Sequence, residues 1–189
     1  MDERNRTTLS SAGEWLPLVN EAGEVTGKAT RRACHSGTKP LHPVVHLHVF
    51  NPSGALYLQK RPAHKDIQPG KWDTSVGGHV DYGETVETAL RREALEELGL
   101  VRFTPVFIAR YVFESAAEKE LVNTFMTICT GRLHPHPTEL DGGRFWPLRD
   151  IEAHLGRDLF TPNFEHEFHR LRKRMENECR GRLSVMKSP

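Results

Sequence analysis

The chain has 189 residues, with 26 Lys and Arg against 25 Asp and Glu, a formal charge of +1. Near-neutrality without a basic block argues against a nucleic-acid-binding face, and no apolar run approaches the ~18 residues that span a membrane. Cys34, Cys129 and Cys179 are odd in number and far apart, which argues against a disulfide framework or a C-x-x-C zinc knuckle.

Residues 1–13 are polar and read as a flexible N-terminus, and residues 14–189 fit one domain with length enough for a core. Met1-Asp2-Glu3-Arg4-Asn5-Arg6 does not read as a signal peptide, so cytoplasmic residence is expected. Trp15–Val19 and Val25–Ala29 flank a polar Gly-containing turn, a hairpin signal. Residues 30–36 are short helix or irregular. Pro43–Phe50 is β-rich, with Val45, Leu47 and Val49 alternating against His46 and His48. After the turn at 51–54, Ala55–Lys60 is the returning strand. A loop over 62–71 leads to a short strand from Trp72 to Val76. Phe103–Glu114 and Leu121–Gly131 read as two further strands, and Cys129 within the second as a buried filler. Gly143–Trp146 is a short strand and Leu148–Leu155 a short helix. Pro162 starts a last amphipathic helix, with Phe164, Phe168, Leu171 and Met175 at helical spacing. This order predicts an α/β (α+β) fold with a mixed sheet between helices.

The chemistry concentrates in residues 78–100. Thr85 suits a helix N-cap with Glu87 in the first turn, and Gly99 suits the C-terminal glycine, so the spacing predicts a helix over Val86–Leu98. Glu93, Glu96 and Glu97 share one face of it, at the edge of the apolar stripe. Carboxylates near a helix C-terminus oppose the macrodipole by ~0.3–1 kcal/mol each. Mutual repulsion adds a few tenths of a kcal/mol. A divalent cation with oxygen ligands removes both penalties. A solvated acidic face paired with Arg91 and Arg92 is the plainer alternative; the flanking glycines and the position of the stripe favour the metal site.

These residues resemble the Nudix signature, G-x5-E-x7-R-E-U-x-E-E-x-G-U with U a bulky aliphatic. Here it runs from Gly78 through Glu84 and Arg92-Glu93 to Glu96-Glu97, Gly99 and Leu100. Ala94, smaller than the usual aliphatic, is the one mild departure. The resemblance implies an α/β/α sandwich and a hydrolase of nucleoside diphosphates linked to another moiety, using Mg²⁺ or Mn²⁺. By position, Glu93, Glu96, Glu97 and the Gly78 carbonyl would hold metal. Arg92 would orient Glu93, and Glu84 would support the loop. The general base varies in the family, between a signature glutamate and an acid of a later loop; the pairs Glu118 and Glu120, and Glu139 and Asp141, could supply the late metal ligand or the base, with Glu120 the first candidate, since an acid near that strand helps bind metal in relatives, and Glu139 the second.

The segments 14–27, 61–65 and 69–79 also resemble proteins related to isopentenyl-diphosphate isomerase, so that the likeness spans roughly residues 14–155. Arg61 and Lys65 match positions that grip diphosphate there. His79 and His42 match metal positions of that enzyme, although each reads here as a hydrogen-bonded structural histidine. The isomerase's catalytic cysteine is replaced by Gly77, which cannot transfer a proton. A zinc site at His46 and His48 lacks a third ligand. Trp72 reads as packing. The expected activity is therefore pyrophosphate hydrolysis of a small-molecule diphosphate, against two alternatives: an isomerase-like enzyme and a non-catalytic nucleotide-sensing domain. A homodimer is left open by the sequence.

Overall fold

The computed structural model describes residues 14–64 and 68–187; residues 1–13 and Lys65 lie outside them. An antiparallel hairpin of β1 (Trp15–Val19) and β2 (Val25–Thr30) comes first, its turn closed by Gly23 at φ 86°. Helix α1 (Arg31–Cys34) follows, capped by the Thr30 hydroxyl on the Ala33 N–H. Next come β3 (His42–Phe50), β4 (Leu56–Lys60), β5 (Trp72–Asp73), β6 (Val76–His79) and α2 (Val86–Leu98). The chain ends with β7 (Val106–Glu114), β8 (Lys119–Ile128), β9 (Gly143–Trp146), α3 (Leu148–His154) and α4 (Pro162–Lys187).

The main sheet has the order β5-β4-β3-β8-β7, with β6 added to β3 and β9 to β4. It is mixed: β3 and β8 run parallel, and the other pairs are antiparallel. Strand periodicity splits the core in two. Val45, Leu47 and Val49 face one way and pack with Ala89, Leu90, Ala94 and Leu98 of α2. Val44, Phe50, Val122 and Met126 face the other way and pack with Phe164, Phe168, Leu171 and Met175 of α4. The sheet thus lies between α2 and α4, as its element order predicts.

Three elements differ from the sequence expectations by more than one residue. The strand expected over 72–76 is two strands: β5 pairs with β4, while β6 pairs with β3 and runs through Gly78 to His79. The signature glycine therefore sits on a strand, not in a loop. Residues 103–105 precede β7 rather than belong to it, and β8 starts at Lys119 and ends at Ile128. The alternation in β3 also misleads. Every residue of β3 is buried, because helices cover both faces. His46 and His48 are inside, not on a wet side.

Candidate active site

Helix α2 spans Val86–Leu98 as the spacing predicts. The Thr85 hydroxyl accepts from the Thr88 N–H at 3.1 Å. At the other end Gly99 takes φ 63°, and Leu100 N–H reaches the Ala94 carbonyl at 3.0 Å. The loop after β8 then caps two more carbonyls: His134 N–H donates to Leu98 and His136 N–H to Glu97, at 2.8 and 2.9 Å. Covering this end brings the acidic turn against the sheet.

Arg92 organises the acids. Its Nη1 donates to Glu93 at 2.6 Å and to Glu96 at 3.2 Å. Its Nε and Nη2 grip both oxygens of Glu84 at 3.1 and 3.0 Å, and Nη2 also donates to the His79 carbonyl. Arg92 was expected to orient Glu93 and Glu84 to support the loop; Arg92 here touches both of them and the His79 carbonyl. Glu93 lies against Gly78 so closely that a Cβ there would overlap its side chain. Glu97 is buried, and its Oε2 accepts from the Gly77 N–H at 3.1 Å and stands 3.4 Å from the Gln59 amide. Burial pushes Glu93 up to about 7 against the pull of Arg92. Burial, then the charge of Glu93, pushes Glu97 well above the carboxylate range. Glu96 is the outer, half-exposed member.

A buried carboxylate, Glu97, beside the partly buried Glu93, with a glycine that leaves Glu93 room, is a donor set that fits a divalent cation. The three signature glutamates do not converge in one tight group, however. Among the described residues, three or more ligand atoms come within 4.8 Å of one another in two other places: His35, His42 and His79, and His79, Glu118 and Glu120.

These groupings bring His42 and His79, each expected as a hydrogen-bonded structural histidine, together with His35, Glu118 and Glu120. Register explains it. His42 pairs with Glu120 across β3 and β8, and His79 ends β6 beside Val44. Helix α1 brings in His35, whose Nε2 is 3.1 Å from Nε2 of His79 and whose Nδ1 is 3.4 Å from Glu118. Nδ1 of His42 donates to the Pro40 carbonyl, and its buried Nε2 has no hydrogen-bond partner among the described residues. Burial lowers all three histidines, so they present neutral nitrogens. Glu120, hydrogen-bonded to Asn163 at 3.2 Å, is pushed up to about 8 by burial and by Glu118. This set also fits a divalent cation. His35 was missed because its closest partners, His79 and Glu118, are 44 and 83 positions away and nothing in sequence ties them together.

Arg61 stands 3.3 Å from Asp73 on the neighbouring strand. Lys65 lies outside the described residues. Glu139 is exposed, in the loop that caps α2. Trp72 packs edge-on against Trp146, as expected. Glu167 was also missed. It stands three residues after Phe164 and four before Leu171, on the apolar stripe of α4, which is the signal that could have found it.

A NUDIX domain model matches residues 40–165. The chain belongs to the Nudix family. Its Nudix relatives fall on both sides of the isomerase boundary. An uncharacterized Nudix hydrolase of Streptomyces coelicolor is 30% identical over 167 residues, covering 87% of this chain and 91% of that protein. An isopentenyl-diphosphate Δ-isomerase of Leifsonia xyli is 37% identical over 157 residues, covering 79% and 83%. A crystal structure from Deinococcus radiodurans superposes with a TM-score of 0.72 at 26% identity, covering 84% of this chain and 99% of that one. Among the described residues no helix of this Nudix protein is long and apolar enough to cross a membrane.

Proposed function

We propose that this Nudix protein is a Mg²⁺- or Mn²⁺-dependent hydrolase that cleaves the pyrophosphate linkage of a nucleoside diphosphate derivative. The observation that carries this is the complete signature held together by one arginine: Arg92 bridges Glu84, Glu93 and Glu96, and Glu97 is buried on the Gly77 N–H. Glu93, Glu96, Glu97 and the Gly78 carbonyl would hold the cation. A bound cation would lower the pKa of water and offset charge on the leaving oxygens. Arg92 keeps Glu93 against the loop. Glu120, whose carboxyl is pushed up by burial and by Glu118, would take the proton of the attacking water. Arg61 and Lys65 would grip the second phosphate, Arg61 as a fork and Lys65 as a point charge.

A second reading, an isomerase-like enzyme on isopentenyl diphosphate, is favoured by the His35, His42, His79, Glu118 and Glu120 cluster. Gly77 weighs against it, since it offers no proton. One experiment separates the two. The protein is assayed with Mg²⁺ or Mn²⁺ against nucleoside di- and triphosphates, sugar-nucleotides, dinucleotides and coenzyme A, and against isopentenyl diphosphate by NMR. The expected outcome is phosphate or nucleotide release, lost by about 100-fold or more in a folded Glu97→Gln variant. Allylic product without hydrolysis would favour the isomerase. Near-normal turnover in the variant would remove the signature acids from the chemistry.

A further inference from the structure

We propose that His46, oriented by Glu167, is a substrate-contacting residue whose Nε2–H donates to a phosphoryl oxygen in the open space over Gly77. The proposal rests on the diphosphate reading above and adds a residue that the signature does not contain.

The register of β3 and β6 sets His46 opposite Gly77. Cross-strand partners project from the same face of a sheet. A Cβ built on Gly77 meets His46 Cδ2 at 3.5 Å and Nε2 at 3.7 Å, and no other described atom within 4 Å. The space over Gly77 is therefore open apart from one edge of an imidazole. Register sets Glu120 opposite His42, on the same face as His46 and Gly77, and its charge reaches His46. Gly78 and the neighbouring Glu93 lie towards the other face, and the Gly77 N–H joins the two sides by holding Glu97.

The other edge of the ring is fixed. Nδ1 is 2.8 Å from Oε2 of Glu167, which is fully buried. The Thr124 hydroxyl donates to the other carboxylate oxygen, and Nε2 of His48 stands 3.1 Å from Oε2. With Nδ1 committed, Nε2 is the nitrogen of His46 left to face the site. The two histidines differ in this respect: His48 is completely buried, whereas His46 keeps 7% of its surface. A buried ion pair on an otherwise apolar helix stripe is seldom the most stable choice, since apolar residues of similar volume often serve as well or better. A role at the neighbouring site accounts for its presence. Burial alone would lower the ring's pKa, but the Glu167 charge and hydrogen bond outweigh it and lift His46 to about 9, with smaller help from Glu120 and Asp73. The donor then carries positive charge at neutral pH, which suits a phosphate.

The test uses the full chain with Mg²⁺ and methylenediphosphonate, titrated by calorimetry, with thermal unfolding to confirm that each variant is folded. His46→Leu keeps much of the volume and removes the donor. It should weaken binding by about tenfold or more, the usual loss for a hydrogen bond to a charged group. His46→Gln keeps a donor at similar reach and should restore most of the affinity. His48→Gln disturbs the same Glu167 oxygen from outside the site and should bind like wild type. Glu167→Gln should weaken binding without touching the ligand, and it carries the test if His46→Leu does not fold. Wild-type affinity in a folded His46→Leu or Glu167→Gln variant overturns the proposal, and so do equal losses in His46→Leu and His48→Gln. If wild type binds no diphosphonate, both this proposal and the diphosphate reading fall. If wild type binds, Glu97→Gln does not and His46→Leu does, only the role of His46 falls.

Discussion

At Gly78 an absent side chain positions a present one. Glu93 rests where a Cβ would be, so the carboxylate can lie against the backbone of β6. Arg92 then fixes it from the solvent side at 2.6 Å. We expect Gly78→Ala to push Glu93 off this seat. A displacement of about 1 Å can cost 100-fold in rate, so kcat/KM should fall about 100-fold while the circular dichroism spectrum stays native. Gly77 behaves differently. A Cβ there meets its neighbours at ordinary contact distance, so its lack of a side chain is not forced by packing. The glycine signature was legible as a motif. That one glycine is sterically required and the other is not could be seen only once β6 was paired with β3.

Helix α2 is the element where sequence and structure agree most closely. Its bounds, Thr85 cap and left-handed Gly99 follow from local rules, because capping and φ preferences act within a few residues. Gly99→Ala should destabilise the protein by about 1–2 kcal/mol, the cost of a left-handed L-residue, measured by urea denaturation. The His134 Cβ, 3.2 Å from the added methyl, can only add to that cost. The β6 segment was harder. The expected strand stops at Val76, before the glycine pair of the signature loop, yet Val76–His79 pairs with β3. Pairing energy from a distant strand overrode the local preference.

For the molecule as a whole, α4 does more than close the second core. Phe164, Phe168, Leu171 and Met175 seat it on the sheet, and Glu167 enters between them to meet His46 and His48. Losing one partner of such a buried pair typically costs about 3–5 kcal/mol, which is the loss we expect for Glu167→Gln at pH 7. The pH dependence follows from two opposite shifts. Glu167 is held well below its ordinary value of 4.5, so its contribution is present above that pH and declines as the solution becomes more acidic. His46 is raised from 6.5 to about 9, so its contribution is complete below 6.5 and is lost as pH rises through 9. The stability gap between wild type and Glu167→Gln should thus be widest between about pH 4.5 and 6.5 and narrow by pH 10, measured by thermal unfolding across that range. A gap that does not change with pH would mean that the pair is not ionic.

The sequence by itself determined the family signature, the helix that carries it, the order of strands and helices, and the apolar stripe of α4. All of these rest on spacing along the chain. Only the tertiary structure decided that His35, His42, His79, Glu118 and Glu120 share one locality, that β3 is buried on both faces, and that Glu167 meets His46 from 121 residues away. These depend on strand register and on which helix covers which face, and register is set by pairings between segments that carry no local mark of each other.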